Sequence, residues 1–76
     1  VSSVRESAYV WLVAQLRAAR LRHEWSQKEL ADKLGKFQSY VSKYETGERR
    51  LDFVETIRVA RVLGLDLNQL VPPGLD

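Results

Sequence analysis

Residues 26–47 read SQKELADKLGKFQSYVSKYETG, the pattern of two short helices joined by a glycine turn. Ser26 stands where a helix N-cap belongs, with Glu29 three positions on, so each side chain can satisfy the other residue's unpaired backbone amide. Trp25, just before the cap, can staple onto Leu30. The helix so opened runs to about Leu34, where Gly35 permits the left-handed backbone of a tight turn. A further helix spans about 37–46 and is closed by Gly47. At about 100° per residue, Gln38, Ser39, Ser42, Lys43 and Thr46 share an arc of roughly 140°, and Phe37, Tyr40, Val41 and Tyr44 occupy the opposite side. One half is expected to pack and the other to face out.

The flanks extend the helical pattern in both directions. Ser3 and Glu6 are spaced as a capping box for a long first helix that continues to about Arg22. Ala8, Leu12, Leu16 and Ala19 form one apolar stripe on it, and Val10, Trp11, Ala14, Ala18 and Leu21 form a second one opposite. Asp52 with Glu55 caps a fourth helix carrying Phe53, Ile57, Ala60 and Leu63, which Gly64 ends. Asp66 opens a short fifth helix through Leu67 and Leu70, and Pro72-Pro73 forbids its continuation. No useful length alternates with period two, and there are no repeats or low-complexity tracts. The expected fold is all-α: a compact five-helix bundle in a single domain over residues 1–76. Residues 1–10 extend helix one, and residues 72–76 form a tail. Trp11, Trp25, Phe37, Tyr40, Tyr44 and Phe53 are expected in the core, not as stacking platforms for single strands.

Composition removes most chemistry. A chain of 76 residues and 8.8 kDa has one small core and no room for a multidomain enzyme. It has no cysteine and one histidine, which excludes disulfide frameworks, thiol nucleophiles and the common zinc ligand sets. No metal or cofactor is expected. His23 is expected to be an exposed residue at a helix end. Carboxylates such as Glu45 and Glu48 lack the pocket and nucleophile that acid–base catalysis needs, so no enzyme is expected. The apolar run 8–14 is too short to span a membrane and has no small-residue cleavage site after it, so neither a span nor a signal peptide is expected. The net charge is only +2, but residues 17–50 hold nine positive and five negative side chains, whereas residues 51–76 hold two and four. Such a domain can present one basic face to a polyanion, or merely be well solvated.

The outward arc of the third helix favours the first alternative. Gln38, Ser39, Ser42 and Lys43 are short amides and hydroxyls with one cation, and no acid falls within the arc, where a solvent face would mix both signs. Short polar side chains let a helix enter the DNA major groove, where an amide pairs bidentately with adenine and a lysine donates to guanine. Gln27 and Lys28 lie at the positive end of the second helix, which suits a phosphate. Taken locally, Ser26-Gln27 is equally a plain helix start, and plain surface is the alternative for Arg49-Arg50 beside Glu48.

Residues 16–71, about three quarters of the chain, resemble the Cro/C1-type (XRE) helix-turn-helix family. The resemblance is carried by Leu16-Arg17-x-x-Arg20, Ser26-Gln27-x-x-Leu30-Ala31-x-x-Leu34-Gly35, Gln38-Ser39-x-Val41-Ser42-Lys43-x-Glu45-x-Gly47 and Leu63-Gly64-x-x-x-x-x-Leu70. It implies a lambda-repressor-like DNA-binding domain with its helix-turn-helix at about 26–46. Gln38, Ser39, Ser42 and Lys43 then match base-facing positions. Gln27, Lys28, Lys36, Thr46, Arg49 and Arg50 match phosphate-facing ones, and Arg20 and Glu45 match a salt bridge that ties helix one to the reading helix. Glu24 stands where many members have Gly, and Phe37 where a small polar cap or Pro is common.

The implied function is a sequence-specific regulator of transcription on double-stranded DNA, a repressor acting as a homodimer in the cytoplasm, on bacterial or phage nucleoid DNA. Its half-sites would lie about one helical turn, ~34 Å, apart. An antitoxin-like or adaptor module that binds a partner protein, with DNA binding as autoregulation, is the alternative. The second stripe of helix one and the C-terminal helix around Leu67 and Leu70 are rival interfaces.

Overall fold

Helix one is the longest element in the computed structural model, which describes residues 2–75, with side chains from residue 7 onward. Four α-helices and no strand occur among the described residues: α1 (Ser2–Arg22), α2 (Gln27–Leu34), α3 (Gln38–Thr46) and α4 (Phe53–Leu63). The side chains of Ser3 and Glu6, the expected first capping box, lie outside the described residues.

The fifth helix is a correction. Leu67–Leu70 is one 3-10 turn, capped by the Asp66 carboxylate, which accepts from the Asn68 amide at 2.9 Å. Only five residues separate Asp66 from Pro72, too few to offset the nucleation of an α-helix, and Val71 is already extended.

The interior caps follow from local chemistry. Ser26 Oγ accepts from the Glu29 amide at 3.0 Å while Glu29 Oε1 accepts from the Ser26 amide at 2.8 Å. Asp52 and Glu55 exchange the same pair of bonds at 2.7 and 2.9 Å. These contacts hold both glutamates below their ordinary value of 4.5, Glu29 through the Ser26 backbone amide and Glu55 first through the Arg49 guanidinium and then through the Asp52 amide. A carboxylate with a depressed folded pKa stabilises the fold above its unfolded value and loses that contribution as pH falls through the folded one. Below about pH 4.5 the thermal midpoint of the wild type is therefore expected to drop more steeply than that of a Glu29→Gln/Glu55→Gln variant. Parallel midpoint-versus-pH curves in circular dichroism would remove the caps as the cause.

Three helix ends share one turn. At Gly35 the amide donates to Asp32 and the Lys36 amide to Ala31, and Gly64 and Leu65 repeat the pattern on Arg61 and Ala60. The end of α1 is built the same way, with Glu24 donating to Leu21 at 2.9 Å and Trp25 to Arg20 at 3.2 Å, but the left-handed residue is Glu24, at φ 60°. A Cβ in that region is strained by about 1 kcal/mol or more, which glycine avoids. Glu24→Gly is expected to raise stability by about 0.5–1 kcal/mol after the entropy of the freer unfolded chain is subtracted, read from urea midpoints.

The core gathers Leu16, Leu30, Val41, Tyr44 and Val59, all fully buried, from all four helices. On α1 the buried residues are Val13, Leu16, Ala19 and Arg20, so the stripe is rotated from the expected one and Ala8 and Leu12 are only half-buried. Two aromatic assignments are overturned. Phe37 is 88% exposed and Phe53 is 73% exposed. Phe37 is the N-cap of α3, with extended backbone, so it never joins the helical face on which the wheel placed it. Phe53 does share a face with Thr56, Ala60 and Leu63, but as the first residue of α4 it overhangs the edge of the core. Trp11, Trp25 and Tyr40 are half-buried. His23 is exposed, stacks on Trp25 at 4.1 Å and sits with Nε2 2.8 Å from the Leu63 carbonyl, which can only accept, so the ring joins the ends of α1 and α4 as a donor. Tyr9 adds a second tie: its hydroxyl accepts from the Leu51 amide at 2.9 Å.

Candidate nucleic-acid interface

The site is organised around one buried carboxylate. Glu45 lies on α3 with its side chain 3% exposed, facing α1. Arg20 meets it as a fork, Nε donating to Oε2 at 2.8 Å and Nη2 to Oε1 at 3.0 Å, and Nη1 donates to the Trp25 carbonyl at 2.8 Å. The hydrogen bonds to Glu45 raise the guanidinium above its ordinary pKa. Three of the Arg20 donors are thus satisfied in an environment where an unpaired charge would be expensive.

Oε1 of Glu45 also accepts from Gln27 Nε2 at 3.0 Å. A carboxylate accepts only, so Gln27 must turn its NH2 group toward it, and its own oxygen then points outward to accept from Gln38 Nε2 at 3.5 Å. The chain Arg20–Glu45–Gln27–Gln38 therefore runs from α1 to the first residue of α3. It uses one N–H of Gln38 and leaves its carbonyl and second N–H open, the acceptor–donor pair that matches the N6 and N7 edge of adenine.

Along α3, Ser39, Lys43 and Thr46 are exposed and Ser42 is half-buried. Thr46 Oγ1 donates back to the Lys43 carbonyl at 3.2 Å. The side chains of Ser39, Ser42 and Lys43 make no bond among the described residues. Of the residues expected at phosphates, Lys28 pairs with Asp32 at 3.0 Å on its own helix. Lys36 and Arg49 both lie over the Tyr40 ring, at 5.2 and 5.0 Å, and Arg49 also donates to Glu55 at 2.8 Å. Arg50 lies over the Tyr9 ring at 4.3 Å.

Two contributors escaped the sequence reading. Tyr40, expected in the core, packs half-buried against it and is also the ring on which two cations gather. Arg17, 58% exposed, has Nε 3.9 Å from Glu45 Oε1 and adds positive charge beside the chain of bonds. The one signal for Arg17 was its position three residues before Arg20, on the same side of α1. Among the described residues no cluster of three His, Cys, Asp or Glu side chains is placed to hold a metal ion, and no helix is long and apolar enough to cross a membrane.

Two short helices, a glycine turn and a polar outer face on the second of them define a helix-turn-helix domain. The helix-turn-helix family matches residues 16–70 of the chain. The solved structure of an XRE-family like protein from Pseudomonas syringae pv. tomato str. DC3000 is similar with a TM-score of 0.85 at 40% identity, covering 91% of this chain and 84% of that one. No curated protein matches. The chain belongs to the Cro/C1-type (XRE) helix-turn-helix family, and it is a DNA-binding transcription regulator.

Proposed function

We propose that this chain is a sequence-specific repressor that acts as a homodimer in the cytoplasm, with α3 of each copy in the major groove of one half-site. Gln38, Ser39, Ser42 and Lys43 meet base edges. Gln27, Lys28, Lys36, Thr46, Arg49 and Arg50 meet the backbone. The observation that carries the reading is the Gln38 amide, oriented from behind by Gln27 and Glu45 and open in front. A side chain held in its productive rotamer loses less entropy on binding than a free glutamine does. Where the half-sites overlap a promoter, occupancy excludes polymerase from it and transcription is repressed.

Dimerisation is supported by apolar surface that the fold leaves open. Phe53, Leu67, Val71 and Leu75 are all exposed and line one groove of about 470 Å3 with Leu12 and Leu70 beneath them. A second copy covering this groove would bury them, and two α3 helices would supply the affinity that one lacks. On α1 the rival stripe keeps Val10, Ala14 and Leu21 exposed but half-buries Trp11 and Ala18 within the chain itself.

Selection of duplexes from a random pool tests the reading. The expected result is an inverted repeat with half-site centres about one helical turn apart, together with a dimer in sedimentation. An unrepeated motif on a monomer, or a monomer that purifies with an unlike chain, would favour the antitoxin-like or adaptor reading over the dimeric repressor. With Lys28, Lys36, Arg49 and Arg50 at phosphates, log K on random duplex should fall with log salt at a slope of about −3 to −4 per protomer.

A further inference from the structure

Phe37 contributes to neither of the tasks its position ordinarily serves. As the N-cap of α3 it offers no side-chain acceptor to the helix, a function that Ser, Thr, Asn or Asp would perform. As an aromatic residue it buries almost nothing, being 88% exposed and outside the apolar core. Folding alone therefore disfavours phenylalanine here on two independent counts. Its neighbours in the chain are Lys36, held over the Tyr40 ring, and Gln38, whose amide is open in front.

We propose that the Phe37 ring is a specificity-determining contact that packs against the C5 methyl of a thymine beside, or paired with, the base that Gln38 reads. The inference rests on the assignment of α3 to the major groove. In that groove the thymine methyl is the one apolar feature that a base pair presents, and a phenylalanine ring is among the side chains suited to it. The charged phosphates offer such a ring nothing comparable. An adenine held by Gln38 necessarily brings a thymine methyl on its partner strand within the same pair. The ring thus adds to the polar code of α3 a requirement for a methyl group, and the half-site is predicted to contain A·T at or next to the Gln38 position.

The test uses the full chain and its selected duplex, with each thymine replaced in turn by deoxyuridine, which removes the methyl and leaves every hydrogen-bonding edge intact. Wild type is expected to lose about fourfold in affinity at one thymine position per half-site, the factor that corresponds to one buried methyl-sized group. Phe37→Ser restores a capping side chain, so its thermal midpoint should equal or exceed that of the wild type. It should bind thymine and deoxyuridine duplexes equally well. Wild-type binding that is indifferent to deoxyuridine at every position overturns the proposal, as does a Phe37→Ser variant that keeps the wild-type sensitivity. A lowered midpoint in Phe37→Ser would assign the ring to the fold instead. If random-pool selection yields no motif at all, the base-reading assignment fails first; a motif without a methyl effect removes the Phe37 contact alone.

Discussion

Glu45→Ala is expected to lower the unfolding free energy by about 3–5 kcal/mol, the range for removing one partner of a buried ion pair. The Glu45 and Arg20 side chains are 3% and 8% exposed, so the guanidinium left behind keeps little contact with water. The Gln27 amide loses its acceptor as well. A domain of this size has a total stability of about 4–11 kcal/mol, so the variant would keep only a fraction of it. Its thermal midpoint should fall by more than about 12 °C, at some 4–8 °C per kcal/mol for a chain of this length. Circular dichroism at 222 nm reads the change. A control separates loss of the pair from exposure of an orphan charge: Arg20→Met/Glu45→Leu fills the same volume without either charge and should be more stable than Glu45→Ala. A midpoint for Glu45→Ala within two or three degrees of wild type would mean that the pair does not hold α1 to α3.

Gln38→Ala acts on recognition and leaves the fold alone, because Gln38 is exposed and its single bond to Gln27 is long, at 3.5 Å. Removing a bidentate amide from an adenine should weaken binding to the selected duplex by about 1–3 kcal/mol per half-site, roughly fivefold to 150-fold. Binding to random duplex should be unchanged, since the amide touches no phosphate in that reading. Arg49→Ala should do the opposite, weakening both kinds of duplex by similar factors and flattening the salt dependence by about one unit of slope. Fluorescence anisotropy at one fixed salt concentration measures all four affinities, and repeating the wild-type and Arg49→Ala titrations over a range of salt gives the slope. An equal loss for Gln38→Ala on both duplexes would move Gln38 from the bases to the backbone.

Much of the fold is legible in residues because its punctuation is local. Ser26 with Glu29 and Asp52 with Glu55 announce helix starts through bonds that span three residues, and Gly35, Gly47 and Gly64 announce ends through backbone geometry that needs no tertiary information. What a helical wheel does not contain is the position of the core along the axis. Phe53 lies on the correct face of α4 and still projects past the packed layer, and Thr56 and Val59 are buried where Ile57 was expected. The fifth helix misleads for a related reason, since Leu67 and Leu70 have helical spacing but too few residues on either side to complete a second turn.

The site divides in the same way. The polar outer arc of α3 follows from periodicity and charge, and the pairing of Arg20 with Glu45 follows only from family resemblance. The link from Glu45 through Gln27 to Gln38 crosses 18 and then 11 residues of sequence, and nothing in the local pattern marks those partners. Tyr40 is likewise an aromatic on the inner arc by its spacing, and its role beneath Lys36 and Arg49 appears only once the turn after Gly47 returns the chain to it.

The bonds that set the angle of α3 end at Gln38, and Ser39, Ser42 and Lys43 carry none of them. Ser39 and Lys43 are also exposed, so those two side chains can be exchanged without disturbing the scaffold that presents them, whereas Ser42 is half-buried. A library randomised at 39 and 43 alone should yield proteins that melt together and yet, with α3 in the major groove as proposed, address different promoters, a separation of grammar from vocabulary.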